Sequence, residues 1–303
     1  MSNILNTIKS IICVIFCIFF YSQAIALSSD WISSETSKVR IISPYSQYND
    51  KTLIVGLEYQ MEPGWKTYWK SPGDGGFPQK ISWQNSFNVQ NVNILWPTPE
   101  KFEILGLTSL GYENNVIFPL EVEIEDKSQN TFLDLQLNYL ICKEVCIPGE
   151  ARLFLDIPSG KKIVNENYYN LEKAFSLTPQ KDLNSSYIKN IDANVFTDNK
   201  ITTIQIKFES KKSFFNPKIF IHTPFGLPVV KNTISYSSDN KYIKTNFNFD
   251  KKLISKNTFP LEVIIKDKNH NFKSVIDLSI NEELLVTSNN HNLIYFILIS
   301  FLA

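Results

Sequence analysis

Histidine and cysteine are scarce in this chain, and their scarcity excludes several kinds of site. The chain has only 3 histidines and 4 cysteines among its 303 residues. A tetrahedral zinc site is unsupported, because a single cysteine pair lies beyond residue 26 and the histidines are far along the chain from it. Those histidines are His222, His270 and His291. A hydrolase of the nucleophile-elbow type is equally unsupported, since that motif does not occur. We therefore predict a function that needs no metal and no organic cofactor.

An excess of either charge sign is also absent. Lys plus Arg and Asp plus Glu both number 30, which gives a formal net charge of +0 at pH 7. Proteins that bind nucleic acid or anionic membrane surfaces through electrostatics carry a basic excess or a basic patch. Neither partner is predicted for this chain.

Residues 1–26 have the pattern of a secretory signal peptide. Lys9 gives a positive amino-terminal region, residues 11–21 are apolar, and residues 24–26 (Ala-Ile-Ala) match an A-x-A cleavage site. The alternative is an uncleaved amino-terminal anchor, for which the apolar run is short. Export fits the cysteine usage, because an oxidising compartment allows a disulfide to persist.

The cysteines that survive cleavage, Cys142 and Cys146, follow a strand-like pattern. Alternation with period 2 predicts a half-buried β-strand that runs into Cys142. One face holds Leu135, Leu137, Tyr139 and Ile141, and the other holds Asp134, Gln136, Asn138 and Cys142. We therefore expect Cys142 on the more polar face and both sulfurs near the surface.

The spacing of the two cysteines leaves their role open. A bridge between Cys142 and Cys146 requires the chain to turn back on itself. So small a loop removes little entropy from the unfolded chain, so the bridge would be a weak staple. Lys143 favours a Cys142 thiolate and Glu144 opposes it. From the spacing alone, the pair is either a local structural disulfide or a reducible one.

Short strand patterns separated by turn signals predict a β-sandwich in the first half of the chain. The predicted strands are residues 39–42, 52–60, 65–69, 80–83, 92–96, 116–125, 130–142 and 151–157. Residues 71–78 are predicted to break regular structure, and residues 102–110 are predicted to form a loop rich in exposed apolar side chains.

Motifs in a fixed order connect this half to a known family. They are Gly64-Trp65-Lys66-Thr67-Tyr68-Trp69-Lys70-Ser71-Pro72-Gly73-Asp74, Trp96-Pro97-x-Pro99, Gly111-Tyr112-Glu113 and Cys142-x-x-x-Cys146-Ile147-Pro148. As a set they resemble the periplasmic N-terminal region of the DsbD/ScsB family of transmembrane disulfide reductases, on the ScsB-like side. The resemblance covers most of residues 31–158.

The resemblance implies an immunoglobulin-like fold and a Cys142/Cys146 pair that cycles between dithiol and disulfide. Such domains take electrons from a membrane-embedded disulfide reductase domain, which cytoplasmic thioredoxin reduces, and pass them to periplasmic thioredoxin-like oxidoreductases. The chain would then be the N-terminal part of a protein-disulfide reductase, located in the periplasm and without a cofactor.

The resemblance also implies roles for residues around the pair. Residues 101–110 are similar in position to the cap loop of DsbD members, so Leu105 or Leu107 is expected to contact a cysteine. Tyr68 lies where those members have a tyrosine near the pair. We expect Cys142 to exchange with the partner and Cys146 to resolve, although the opposite assignment fits the sequence nearly as well.

The second half shows one helical pattern, at residues 165–178, and is otherwise rich in strands. The predicted strands are residues 201–209, 218–222, 229–236, 242–249, 260–266 and 273–280. Residues 118–127 match residues 259–268, and a polar turn and a strand follow both. This repeat predicts a duplicated sandwich whose second copy lacks the cysteines and serves spacing or partner docking.

The expected fold is therefore all-β, with two immunoglobulin-like sandwiches joined by a short helix. We predict a signal peptide (1–26), a redox-active domain (27–160), a helical linker (161–182), a second sandwich (183–285) and the start of a truncated membrane segment (286–303). Because residues 293–303 are too few to span a bilayer, a frayed tail is the alternative there. The competing function is a non-catalytic exported adhesion or assembly protein with one structural disulfide, which would resist reduction.

Overall fold

The computed structural model describes residues 27–104, 106–181, 187–198, 200–228, 232–254, 256–268 and 270–280. The predicted signal peptide and the predicted carboxy-terminal membrane segment lie outside these residues. Across the ranges just given, no helix combines the length and the apolar character that crossing a membrane requires.

The first domain is a sandwich of two sheets. Its strands are β1 Leu27–Ser28, β2 Ile32–Ser33, β3 Ser37–Ser43, β4 Tyr45–Gln47, β5 Thr52–Met61, β6 Lys66–Gly73, β7 Lys80–Ser82, β8 Val89–Ile94, β9 Glu100–Ile104, β10 Leu107–Glu113, β11 Asn115–Ile124, β12 Thr131–Cys142, β13 Cys146–Ile157 and β14 Ile163–Val164. One sheet has the order β1-β3-β5-β11-β8, with β2 beside β3. The other, here called the cysteine sheet, has the order β13-β12-β6-β10-β9, with β7 beside β12.

The core of the first domain forms where alternate side chains of the two sheets meet. Period-2 alternation sends every second residue of a strand inward, and these inward residues are almost fully buried. They include Val39, Ile41, Leu53, Val55, Leu57, Trp69, Phe118, Leu120, Val122, Leu133, Leu135, Leu137 and Ile141. The apolar face predicted for the strand before Cys142 is therefore confirmed.

Two local predictions in the first domain are wrong. Residues 102–110 form part of a β-hairpin, β9–β10, rather than a loop, because Gly106 takes φ +78° and lets Ile104 pair with Leu107. Strand β6 continues to Gly73, which pairs with Ser109 of that hairpin, so regular structure does not break at residue 71. Both errors concern pairing partners that the sequence pattern does not reveal. We call residues 100–113 the cap hairpin.

The second domain is also a sandwich. Its strands are β15 Gln180–Lys181, β16 Ile188–Thr197, β17 Ile201–Ser210, β18 Lys218–His222, β19 Thr233–Tyr236, β20 Tyr242–Asp250, β21 Thr258–Asp267 and β22 His270–Ser279. They form two four-stranded sheets, in the orders β15-β22-β21-β18 and β16-β17-β20-β19. Strand β16 was missed by the sequence analysis. The predicted all-β architecture with two sandwiches is confirmed.

The predicted helix is present as α1, Tyr168–Ser176, between the two sandwiches. It packs against β11 of the first domain and buries Leu171 and Ala174. Just before it, β14 pairs with β4 of the first domain. The segment between the sandwiches is thus attached to the first of them.

The internal repeat holds for one strand and fails for the next. In β11 and β21 the matched apolar residues are buried alike, Phe118 with Phe259 and Leu120 with Leu261 among them. However, β12 lies in the sheet opposite β11, whereas β22 pairs directly with β21. The reason is the length of the connection. Residues 125–130 are long enough to cross between sheets, but only residues 268–269 join β21 to β22, with Lys268 at φ +51°, which forces a hairpin.

The outer face of β18 and β21 packs against the first domain. Cross-strand pairs on this face alternate with pairs that face the second core, as period 2 requires. The outward pairs are Lys218 with Lys266, Phe220 with Ile264, and His222 with Glu262. Phe220 and Ile264 join the hydrophobic cluster of the first domain, and the Phe220 ring lies 6.3 Å from that of Trp69.

Polar contacts surround this apolar centre. Lys70 Nζ lies 2.7 Å from Glu262 Oε1, and Ser71 Oγ lies 2.6 Å from His222 Nδ1. Burial, followed by the charge of Lys70, lowers the pKa of His222 to about 4, so the ring is neutral at neutral pH. The two sandwiches therefore share an interface with a buried apolar centre.

Replacing Ile264 by glutamate tests this interface. The side chain is 1% exposed and packs in the apolar centre of the interface, where burying a carboxylate is costly, so we expect Ile264→Glu to separate the sandwiches while each keeps its strands. The unfolding free energy in urea should fall by about 2–5 kcal/mol, and the radius of gyration from small-angle scattering should rise. Ile201→Glu, at a position 46% exposed, should change the free energy by less than about 0.5 kcal/mol. An unchanged radius for Ile264→Glu would contradict the interface.

Candidate functional site

The candidate site lies at the end of the β12–β13 hairpin. The two strands pair in register from Thr131 with Ile157 to Cys142 with Cys146, so the two cysteines face each other across the last pair. Lys143 N–H donates to the Val145 carbonyl at 3.0 Å, which closes the turn. A disulfide joins the two cysteines, whose Cα atoms are 4.1 Å apart. The local sequence thus builds the bridge by hairpin pairing alone.

The two sulfurs have different environments. Cys142 is 0% exposed, whereas Cys146 is exposed. The prediction that both sulfurs lie near the surface is therefore wrong for Cys142. The outer face of β12 is polar and open at Gln136 and Asn138, but it is covered at Cys142 by side chains of β6 and the cap hairpin. This cover comes from strands that are distant in the sequence.

Tyr68 of β6 is the polar contact of the buried sulfur. Its hydroxyl donates to Cys142 Sγ at 3.0 Å and lies 3.7 Å from Cys146 Sγ. Burial raises the pKa of Tyr68, so the hydroxyl remains protonated and can donate. The expected position of Tyr68 near the cysteines is confirmed. A hydrogen bond from a neutral donor is stronger to a thiolate than to a neutral sulfur, so Tyr68 favours negative charge on Cys142.

The Tyr68 ring is held on both sides. A Cβ at Gly76 would lie 2.2 Å from Tyr68 Cζ, and Gly76 has φ +86°, so only glycine fits over this ring. The Phe102 ring of the cap hairpin lies 6.1 Å from the Tyr68 ring, at a tilt of 48°. Tyr68 is therefore positioned by packing before it meets the sulfur.

The cap hairpin covers Cys142 with side chains of β9. Ile104 and Leu140 pack with Tyr68 and Cys142 in one cluster, and Phe102 packs against it. Leu107 is 46% exposed, does not belong to this cluster, and lies beside Gly75. Leu105 lies outside the described residues, so the expectation that Leu105 or Leu107 contacts a cysteine stays a prediction. Phe102 and Ile104 both reach the cluster around Cys142, because alternate residues of β9 share one face of the strand.

Two lysines, Lys66 and Lys143, lie near the end of the β12–β13 hairpin. Only Lys143 adjoins a cysteine in sequence. Lys66 of β6 is the direct cross-strand partner of Cys142, and residues paired in this way place their side chains on the same face. Lys143 adjoins Cys142 in sequence, but its ammonium donates to the Pro63 carbonyl at 3.3 Å. The Lys66 ammonium donates to the Gly64 carbonyl at 2.8 Å and lies 3.6 Å from Glu113 Oε1. Both ammonium groups are therefore bound to oxygen atoms of other residues. The β6–β12 pairing that brings Lys66 beside Cys142 is not local in sequence.

The same region contains no sign of a metal centre. Over the residues whose positions are described, no group of three or more His, Cys, Asp or Glu side chains is arranged to hold a metal ion.

Fold and site together define an all-β sandwich domain that carries a hairpin disulfide under an aromatic cap. The family described as "Thiol:disulfide interchange protein DsbD, N-terminal" matches residues 38–158. The crystal structure of the N-terminal periplasmic domain of ScsB from Proteus mirabilis matches with a TM-score of 0.67 at 21% identity, over 85% of this chain and 100% of that chain. No curated protein matches. Residues 38–158 thus match the N-terminal domain of a family of thiol:disulfide interchange proteins, and the chain shares the fold of the ScsB domain.

Removing Ile104 tests whether the cap hairpin shields the buried thiol. In a Cys146→Ser background, Cys142 is the only thiol of the site, and its alkylation requires the cap to open. We expect Ile104→Ala to speed alkylation of Cys142 about tenfold, the factor that ~1.4 kcal/mol of lost packing gives. Labelling is read on the Cys142 peptide by mass spectrometry. Leu107→Ala on the same hairpin should leave the rate unchanged. Equal rates for the two variants would show that Ile104 does not shield Cys142.

Proposed function

We propose that the Cys142/Cys146 pair is redox-active and relays electrons by thiol–disulfide exchange. The donor is a membrane-embedded disulfide reductase domain, in cis in full-length members of the family, and the acceptors are periplasmic thioredoxin-like oxidoreductases. The observation that carries this proposal is the asymmetry of the bridge. One sulfur is exposed to a partner, and the other is buried against a hydrogen-bond donor.

A purely structural role explains the bridge less well. A disulfide stabilises mainly by closing a loop in the unfolded chain, and its effect grows with loop length. The loop from Cys142 to Cys146 is very short, with a sequence separation of 4, and β12 and β13 are already paired along their whole length. The bridge therefore adds little to stability. The match of residues 38–158 to a thiol:disulfide interchange family supports the same conclusion.

In the first exchange, the domain is reduced. A thiolate of the donor attacks the exposed Cys146 Sγ, because the partner cannot reach Cys142 Sγ beneath the cap hairpin. The bond between the two sulfurs breaks, and its electron pair leaves on Cys142 Sγ, which Tyr68 stabilises by its hydrogen bond. The second donor thiolate then attacks the donor sulfur of the mixed disulfide and releases Cys146. The domain gains two electrons and two protons, and the donor becomes a disulfide.

In the second exchange, the domain is oxidised. The Cys146 thiolate attacks the disulfide of the acceptor, and the departing acceptor sulfur takes a proton. The Cys142 thiolate then attacks Cys146 Sγ, re-forms the bridge and releases the reduced acceptor. In this scheme Cys146 exchanges with partners and Cys142 resolves. That order is the reverse of our first assignment from the sequence, and the burial of Cys142 is the reason for the change.

The surroundings of Cys146 suit a protein partner. Val145 and Ile147 flank it, and both are exposed, by 58% and 38%. An exposed apolar rim around a reactive group provides area that a partner can bury. A periplasmic location is consistent with the similarity to the N-terminal periplasmic domain of ScsB. The signal peptide and the carboxy-terminal membrane segment remain predictions.

Single cysteine variants test this order of events. Cys142→Ser leaves an exposed Cys146 without a resolving thiol, so it should accumulate a mixed disulfide with an oxidised thioredoxin-like acceptor. Cys146→Ser leaves only the buried Cys142 and should accumulate about tenfold less, since access requires the cap to open. Non-reducing gel electrophoresis measures both, and circular dichroism checks that both variants fold.

Two outcomes would contradict the proposal in different ways. Stronger trapping by Cys146→Ser would reverse the assignment of the cysteines. No trapping by either variant would favour the adhesion or assembly protein with a structural bridge.

A further inference from the structure

Two lysines lie side by side on the face of the second domain that meets the first. Lys218 of β18 and Lys266 of β21 are direct cross-strand partners. Like charges directly opposite each other in a sheet destabilise it. An anion between the two charges lowers this cost.

The anion comes from the cap hairpin of the first domain. Lys218 Nζ lies 2.6 Å from Glu100 Oε2, and Lys266 Nζ lies 2.8 Å from Glu100 Oε1, so each carboxylate oxygen receives one lysine. Burial alone raises the pKa of Glu100, but the two lysine hydrogen bonds outweigh it and hold the pKa below its ordinary value. Glu100 is thus ionised at neutral pH and bridges the lysine pair.

Glu100 is also connected to the buried sulfur. It is the first residue of β9, and the same short strand carries Phe102 and Ile104, which cover Tyr68 and Cys142. At about 3.3 Å per residue, Ile104 lies about 13 Å along the strand from Glu100. A strand this short moves as a unit, so a restraint on its first residue restrains its last.

The second domain has two kinds of contact with the first, and they differ in strength. The contacts to β6, through Trp69, Lys70 and Ser71, are largely buried around Phe220. They hold the strand that carries Tyr68. The contact to Glu100 is solvent-exposed, with side-chain exposures of 54% for Glu100 and 53% for Lys218. Exposed ion pairs are weak and are screened by salt, so this contact can be released while the buried one persists.

We propose that the second domain acts as a clamp on the cap hairpin, with Glu100, Lys218 and Lys266 as positioning residues. When the clamp is closed, Phe102 and Ile104 cover Cys142. When it is released, β9 can move away from Cys142, which becomes accessible from solvent. The clamp has meaning for electron transfer only if the proposed redox function holds, but its effect on thiol access does not depend on a redox partner. It gives the cysteine-free second sandwich a role at the site.

Glu100→Gln tests the clamp, because it removes the charge and keeps the size of the side chain. In the full chain with Cys146→Ser, we expect Glu100→Gln to speed alkylation of Cys142 about fivefold at low salt, as loss of a small ion-pair network predicts. The matched control is Glu209→Gln, which breaks the ion pair between Lys189 and Glu209, 2.6 Å long and within the second domain. The control should alkylate at the parent rate.

Salt distinguishes the clamp from a general loss of packing. Added sodium chloride should raise the alkylation rate of the Cys146→Ser parent, and of the Glu209→Gln control, towards that of Glu100→Gln. The rate of Glu100→Gln itself should not change with salt. If Glu100→Gln fails to fold by circular dichroism, the Lys218→Gln, Lys266→Gln double variant breaks the same contact from the other domain and should give the same acceleration. If the clamp variants alkylate at the same rate and with the same salt dependence as Glu209→Gln, the clamp is wrong. Because this assay needs no partner, the clamp can fail while mixed-disulfide trapping succeeds, and the reverse.

Discussion

Tyr68 and Trp69 are neighbours on β6 and point to opposite faces of the strand, and most of the site depends on this alternation. Tyr68 lies under the cap hairpin and donates to Cys142 Sγ, while Trp69 lies in the core of the first sandwich and contacts Phe220 of the second domain. The same strand therefore holds the sulfur on one side and the neighbouring domain on the other. A shift of β6 would disturb the hydrogen bond to Cys142, the cover over it and the interface together.

The asymmetry of the disulfide is the basis of the separate roles that we propose for the two cysteines. Hairpin pairing places the two sulfurs together, but only the non-local cover makes one of them inaccessible. In the proposed function, the exposed Cys146 meets a partner thiol, and the buried Cys142, beside the Tyr68 hydroxyl, accepts the electron pair when the bridge opens. A protonated tyrosine favours the thiolate, which is the form that attacks in the proposed resolving step.

Local patterns predicted most strands and the hairpin that carries the cysteines, because period-2 alternation depends only on neighbours in the chain. The resemblance placed Tyr68 near the pair. Burial of Cys142 could not be predicted, because it depends on β6 and β9, which lie roughly 40 to 75 residues before it in the sequence. Alternation reports only on neighbours within one strand. One residue of the internal repeat does indicate the interface between the two sandwiches. At the position where the first repeat has Glu123 on its outer face, the second has Ile264, and that isoleucine packs into the first domain. An apolar residue on a face expected to be polar indicates a covered surface.

The most direct test of a redox-active pair is its reduction potential, measured together with the stability of both redox forms. The oxidised domain is equilibrated in glutathione and dithiothreitol buffers, the dithiol fraction is quantified by alkylation, and each form is melted. The account predicts a potential less negative than about −300 mV and a reduced form that stays folded, because the bridge closes so short a loop. A pair that stays oxidised well below about −300 mV, in a domain that unfolds on reduction, would contradict the account and identify the bridge as a structural staple.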